Sequence, residues 1–153
     1  QVKRKLKDLD KNLGKISKQL GPNSTLIITA DHGHINTKAI NLFKFPEITK
    51  YLTKKPALEQ RCIAFYVNDK EGFSKIFIKY FQSYFDLYSQ DEFIKTKYLG
   101  DVEESFKRFL GDFIAIAKGE YALVLSDNVN PFRSNHAGIT AQEMIVPLIV
   151  YHN

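Results

Sequence analysis

The sequence has 153 residues, of which 44% are hydrophobic and 25% charged, the proportions of an ordinary globule with enough apolar material for one core. They exclude an intrinsically disordered chain, and a single cysteine, Cys62, excludes an internal disulfide. The net charge of +5, from 22 basic and 17 acidic residues spread along the chain, argues against binding a nucleic acid duplex, and no apolar run is long enough for a transmembrane segment.

Val2, Leu6, Leu9, Leu13, Ile16 and Leu20 recur at alternating spacings of 4 and 3, which puts them on one stripe and predicts a helix over residues 2–20. The lysines on its other side then form a solvated outer face. Gly21-Pro22 stops the helix, and Asn23-Ser24 turns the chain into residues 25–30. That run is apolar without solvent alternation, so it predicts a central strand buried on both faces, parallel to its neighbours, with the helix packed on one side.

Residues 35–45 read as a rim loop, and Pro46-Glu47 opens a short helix to about Leu52. A second buried strand is expected near residues 62–67, where Cys62 reads as a small buried thiol and not a nucleophile. Phe73, Ile76, Phe77, Tyr80, Phe81, Tyr84 and Phe85 share one side of an amphipathic helix predicted over residues 71–85. Lacking interleaved Arg and Gly, this stripe reads as core, not as a base-stacking platform. Short helices are expected around Phe93 and over residues 106–110. Residues 113–117 and 121–125, either side of Lys118-Gly119-Glu120, predict a hairpin at the sheet margin, followed by a loop over residues 127–131. Thr140 with Glu143 forms a capping box for one helical turn. Pro147 confines the last strand to an edge or sits at its start. No linker or repeat interrupts the chain, so residues 1–153 are expected to form a single domain, with about 69–118 as a cap or insertion.

Two stretches carry chemistry. Asp31-His32-Gly33-His34 follows the central strand, at the carboxyl end where open α/β sheets bind ligands. A carboxylate and a neutral imidazole suit zinc or a similar divalent ion, and Gly33 permits the turn that lets neighbouring side chains serve one site. His136 stands in a glycine-containing loop ahead of the capped turn. By itself it reads as a surface residue; beside the first stretch it reads as a ligand. His152 reads as solvated.

Thr29-Ala30-Asp31-His32-Gly33 and His136-Ala137-Gly138 ahead of Glu143-Met144-Ile145-Val146-Pro147 together resemble the C-terminal half of the alkaline phosphatase superfamily, in its type I phosphodiesterase and nucleotide pyrophosphatase branch. The resemblance implies an α/β fold, a mostly parallel sheet with flanking helices and a small α+β cap. It implies a hydrolase of phosphate esters or nucleotides that uses two divalent metal ions, zinc foremost. Asp31 and His32 would ligate one ion and His136 the other; His34, following the glycine in a rim loop, reads as a substrate-side or surface residue and not as a ligand.

The family's nucleophile is a Thr or Ser at an upstream strand-to-helix junction, so no catalytic nucleophile is expected in this chain. Thr29 lies inside the predicted strand and Ser24 at its far end, and neither is a stand-in. The start at Gln1 reads as a processed or truncated chain whose partner is the missing N-terminal half of the same protein. Alone it is expected to be inactive and to bind metal weakly or not at all. A soluble domain, cytoplasmic or at the cell surface, is the expected setting. The alternatives are a phosphatase, a phosphonate hydrolase or a phosphoglycerate-mutase-type enzyme of the same superfamily, or a non-catalytic interaction module with this fold.

Overall fold

The computed structural model describes residues 1–125 and 132–153; the loop expected over residues 127–131 lies outside the described residues. In chain order the strands are β1 (Thr25–Thr29), β2 (Ile35–Asn36), β3 (Lys38–Asn41), β4 (Ala57–Glu59), β5 (Cys62–Phe65), β6 (Phe85–Ser89), β7 (Phe113–Ala117), β8 (Tyr121–Val124), β9 (Ser134–Asn135) and β10 (Leu148–His152). The helices are α1 (Val2–Gln19), α2 (Pro46–Thr49), α3 (Lys70–Phe81), α4 (Gln90–Lys95), α5 (Glu104–Lys107) and α6 (Ala141–Met144). They fall into two compact units, Gln1–Asp31 with Val146–Asn153, and His32–Ile145.

In the first unit, α1 forms where the spacing of its apolar residues predicts it and ends ahead of Gly21-Pro22. Asn23 then takes a left-handed φ of 61°, and the chain enters β1. This strand differs from expectation. It pairs antiparallel with β10, Thr25 opposite His152 and Thr29 opposite Leu148, and its residues alternate between exposed and half-buried. Residues from the two ends of the chain thus make a two-stranded ribbon. Ile27, on one face of this ribbon, is 62% exposed, while Leu26 and Ile28 on the other face are half-buried. The α1 stripe is likewise open, with Val2, Leu6, Leu9 and Ile16 all exposed.

The second unit has its centre in a four-stranded antiparallel sheet of order β4-β5-β7-β6. Side chains alternate across a strand, so β7 sends Phe113, Ala115 and Ala117 to one face and Ile114 and Ile116 to the other. On the first face, α3 delivers the buried Phe73, Phe77 and Phe81. The Phe73 and Phe77 rings meet Phe65 at centroid distances of 5.1 and 5.5 Å, Phe73 meets Phe113 at 5.4 Å, and Phe81 packs on Phe77 at 5.1 Å, in tilted and edge contacts that aromatic pairs favour. On the second face Phe93 and Leu110 cover Ile114 and Ile116. Each fully buried Phe contributes about 1.5–3 kcal/mol by leaving water. Asp69 starts α3 by accepting the Gly72 N–H at 2.9 Å, and Ser89 with Glu92 starts α4 through a capping box.

Four expectations are corrected here. The helix predicted over residues 71–85 stops at Phe81, and Phe85 opens β6; both Phe81 and Phe85 are buried, because a strand can deliver a ring to the same core. The predicted hairpin does not form. β7 lies between β5 and β6, whereas β8 pairs in parallel with β3, Lys38 opposite Tyr121; two fully apolar strands each need their own covered position. The stretch read as a loop, 35–45, contains β2, β3 and a 3-10 turn at Leu42–Lys44, whose strands find partners far along the chain in β9 and β8. The helix opened by Pro46 ends at Thr49, and Leu52 instead bridges to Val67. Pro147 precedes the first residue of β10, as expected.

Candidate functional site

After β1 the chain leaves extended geometry, and the boundary between the two units falls between Asp31 and His32. Asp31 is an exposed residue of the first unit. Within the second unit, His32 and His34 come together with His136, which is remote from them in sequence. The His32 and His136 rings stack at 3.8 Å between centroids and 12° between planes. His34 stands edge-on to both, at 5.1 Å from His32 and 5.2 Å from His136. His34 is exposed, and a shallow cleft lined by Asn36, Glu120, Thr140 and Gln142 opens beside it.

The His32 ring is oriented by its neighbour: Nδ1 lies 2.9 Å from the Gly33 carbonyl. A carbonyl only accepts, so Nδ1 carries a proton; the neutral ring would then have its lone pair on Nε2, the tautomer of a metal-ligating imidazole whose other nitrogen is held by a backbone carbonyl. The donor chemistry therefore fits a divalent ion. Among the described residues, however, no three His, Cys, Asp or Glu side chains are grouped so as to hold one.

Two short loops present the histidines, and α6 holds both. The Gly33 N–H donates to the Glu143 carbonyl at 2.8 Å, an approach so close that a Cβ on Gly33 would collide with the Gln142 backbone. The Gly138 N–H donates to the Glu143 carboxylate at 2.8 Å. That carboxylate also completes the capping box predicted from the sequence, accepting the Thr140 backbone N–H at 3.4 Å, and takes the Thr140 hydroxyl at 2.6 Å. Its main partner is one that sequence reasoning missed. Arg61, in the turn between β4 and β5, donates Nε to Oε1 at 2.6 Å and Nη2 to Oε2 at 2.9 Å. It also donates Nη1 to the Tyr121 carbonyl. Arg61 is fully buried and Glu143 is 2% exposed. Burial works to raise the Glu143 carboxyl, but the bonds from Arg61, Thr140 and the Gly138 N–H outweigh it and hold the group below the ordinary glutamate value. Nothing local announces Arg61, since its partners are remote in sequence.

The other sequence-level sites fall as follows. Cys62 is largely enclosed in β5 and burial pushes its thiol up to about 11, so at neutral pH it is protonated and a poor nucleophile. His152 ends β10, exposed, with Nδ1 2.9 Å from the Thr25 hydroxyl. Thr29 is an exposed strand residue of the first unit. No helix among the described residues is long and apolar enough to cross a membrane.

This arrangement can be set against known proteins. The chain resembles the structure of murine ectonucleotide pyrophosphatase/phosphodiesterase 5 with a TM-score of 0.65 at 18% identity, over 95% of this chain and 40% of that one. The human protein of the same name gives 0.61 at 18%, over 95% and 39%. Phosphonoacetate hydrolase from Sinorhizobium meliloti 1021, in complex with phosphonoformate, gives 0.57 at 18%, over 83% and 36%. The chain thus shares the α/β fold of these proteins while spanning at most about 40% of their length. No curated protein matches its sequence. The family model of the type I phosphodiesterases and nucleotide pyrophosphatases matches residues 1–139, a span that takes in both histidine loops, and the chain belongs to that family.

Proposed function

We propose that this chain is the C-terminal portion of the catalytic domain of a metal-dependent phosphodiesterase or nucleotide pyrophosphatase. Asp31 and His32 ligate one divalent ion, zinc foremost, and His136 ligates a second. The stacking of His32 on His136 carries the proposal, since the loops with the predicted ligands meet in one place. The Nδ1 contact of His32 to the Gly33 carbonyl supports it too, because it fixes the ring in a ligating tautomer. Held by Asp31, His32 and His136, such ions would supply Lewis-acid stabilisation of charge on a phosphoryl centre and favour a deprotonated nucleophile. This chain's residues orient the site: Asp31 contributes negative charge, the two imidazoles contribute neutral donors, and His34 faces substrate at the edge of its cleft.

The nucleophile and remaining ligands belong to the upstream part of the protein. In keeping with this, a similar structure is described as an inactive threonine-to-alanine variant of the murine protein in complex with AMP. Both units described above, with residues 69–118 as a cap, belong to one catalytic domain in this reading. Hydrolysis of a chromogenic phosphodiester, measured with zinc on the full-length protein and on this chain, tests it. Turnover is expected only in the full-length protein and is lost in its His136→Ala variant. Robust turnover by the chain alone would place the nucleophile inside it and overturn the division of labour.

A second reading, hydrolysis of a phosphonate, is favoured by the likeness to phosphonoacetate hydrolase. It uses the same ligands. Release of inorganic phosphate from phosphonoacetate, with the phosphodiester left intact, would select it.

A further inference from the structure

We propose that the buried Arg61–Glu143 pair is a positioning device that sets the relative placement of His32 and His136. This rests on the reading of these histidines as metal ligands. Each histidine is followed by a loop that ends on Glu143. On one side the Gly33 N–H, next to His32, donates to the Glu143 carbonyl at 2.8 Å. On the other, the Gly138 N–H, two residues beyond His136, donates to Oε1 at 2.8 Å. One residue therefore ties both histidine loops, through its backbone and its side chain respectively.

The carboxylate cannot turn away from this task, because Arg61 grips both of its oxygens at 2.6 and 2.9 Å. Arg61 is itself fixed. The Gln60 carbonyl in its turn accepts the Leu123 N–H at 2.8 Å, the Arg61 carbonyl accepts the Ala117 N–H at 2.9 Å, and Nη1 reaches the Tyr121 carbonyl. The position of the histidine loops is thereby referred back to β7, buried along its whole length, and β8, buried from Ala122 to Val124.

Two further observations agree. Ala137, between His136 and Gly138, has a φ of 74°, a left-handed conformation that a residue with a Cβ keeps only when its surroundings impose it. The Gly138–Glu143 bond lies one residue on from it and is placed to hold it. A Cβ on Gly138 would lie 2.6 Å from both Arg61 Nη2 and Glu143 Oε2, so the loop is pressed directly onto the pair. An ion pair that served only to hold the fold would need no such crowding, and apolar residues of similar volume could replace it.

That last point supplies the test. In the full-length protein, Arg61→Met combined with Glu143→Met fills the buried space but removes the acceptor for Gly138 and Thr140. Expected are cooperative unfolding near the parent's midpoint, shifted ring resonances of both His32 and His136 in the metal-free, histidine-labelled protein, and zinc affinity weakened about 10–100-fold. Unmoved ring resonances in the folded double variant would overturn the proposal. Should that variant not fold, Glu143→Gln, which keeps the side chain's shape, takes its place: shifted resonances of both rings support the positioning role, and unmoved ones overturn it. Zinc affinity in His136→Ala tests the ligand assignment separately: no change there would sink the metal reading, while the ring resonances still decide whether the pair positions the histidines.

Discussion

The four-stranded sheet with α3 and the ribbon of β1 and β10 with α1 use similar raw material to opposite effect. Both are rich in apolar side chains. In the sheet Phe65, Phe73, Phe77, Phe81 and Phe85 are at most 1% exposed, whereas Ile27, Leu148, Ile149 and Val150 in the ribbon are all more than half exposed. The sheet has a helix on one face and Phe93 and Leu110 on the other, so its apolar periodicity is consumed within the unit. The ribbon is two-stranded, and most of its apolar side chains stay open. Apolar periodicity specifies which face wants cover; a second element must supply it.

The comparison is broken most severely by emptying the sheet's core. Phe77→Ala is expected to cost about 3–5 kcal/mol in urea unfolding. A loss below about 1 kcal/mol would mean that the aromatic cluster is not the stabilising centre. Close behind comes Glu143→Gln, which leaves the buried Arg61 charge without its counter-ion and should cost a similar amount, about 3–5 kcal/mol. Its pH dependence has a definite sign. The folded-state value lies below the ordinary 4.5, so the stabilisation is complete above the unfolded value and is lost as pH falls through the folded one. The parent should therefore lose stability on acidification in that window, and Glu143→Gln should flatten the slope there.

Chemical reactivity gives a smaller, local measure. Because burial pushes the Cys62 thiol up to about 11, alkylation by iodoacetamide at pH 8 should be far slower in the native protein than in urea. Equal rates would show that β5 opens readily. The least effect is expected in the ribbon unit: Leu9→Ala, at a 54% exposed position, should change the stability of this chain by about 0.5 kcal/mol or less.

What could be read from the sequence divides along the same line. α1, the capping box at Thr140 and Glu143, the aromatic character of the α3 core and the short helices around Phe93 and Phe106 all depend on neighbours within a few residues, and local pattern carried them. Pairing partners did not reveal themselves. The apolar runs at 25–30, 113–117 and 121–125 were identifiable as strands, but β1 pairs with β10 and β8 with β3, choices set by which faces the whole fold must cover. The same limit hid Arg61, a charged residue in a tight turn whose role comes from Glu143, distant in sequence. His32 and His136 could be singled out because ligand chemistry restricts residue type. Their stacking, and the approach of His34 to both, needed coordinates.

The glycines beside the two histidines bear on how this motif should be read in other sequences. Gly33 lies against the Gln142 backbone and Gly138 against the Arg61 and Glu143 side chains, so both are dictated by crowding around α6 and not by the chemistry of an ion. A descendant that had lost its catalytic role, and with it any need for imidazole, would still be held to glycine there while the fold was retained. A surviving glycine is thus a signature of architecture alone. Under the proposed ligand assignment, a survey of such sequences would separate active members from silent ones by the identities at positions 31, 32 and 136, and the glycines beside them would not.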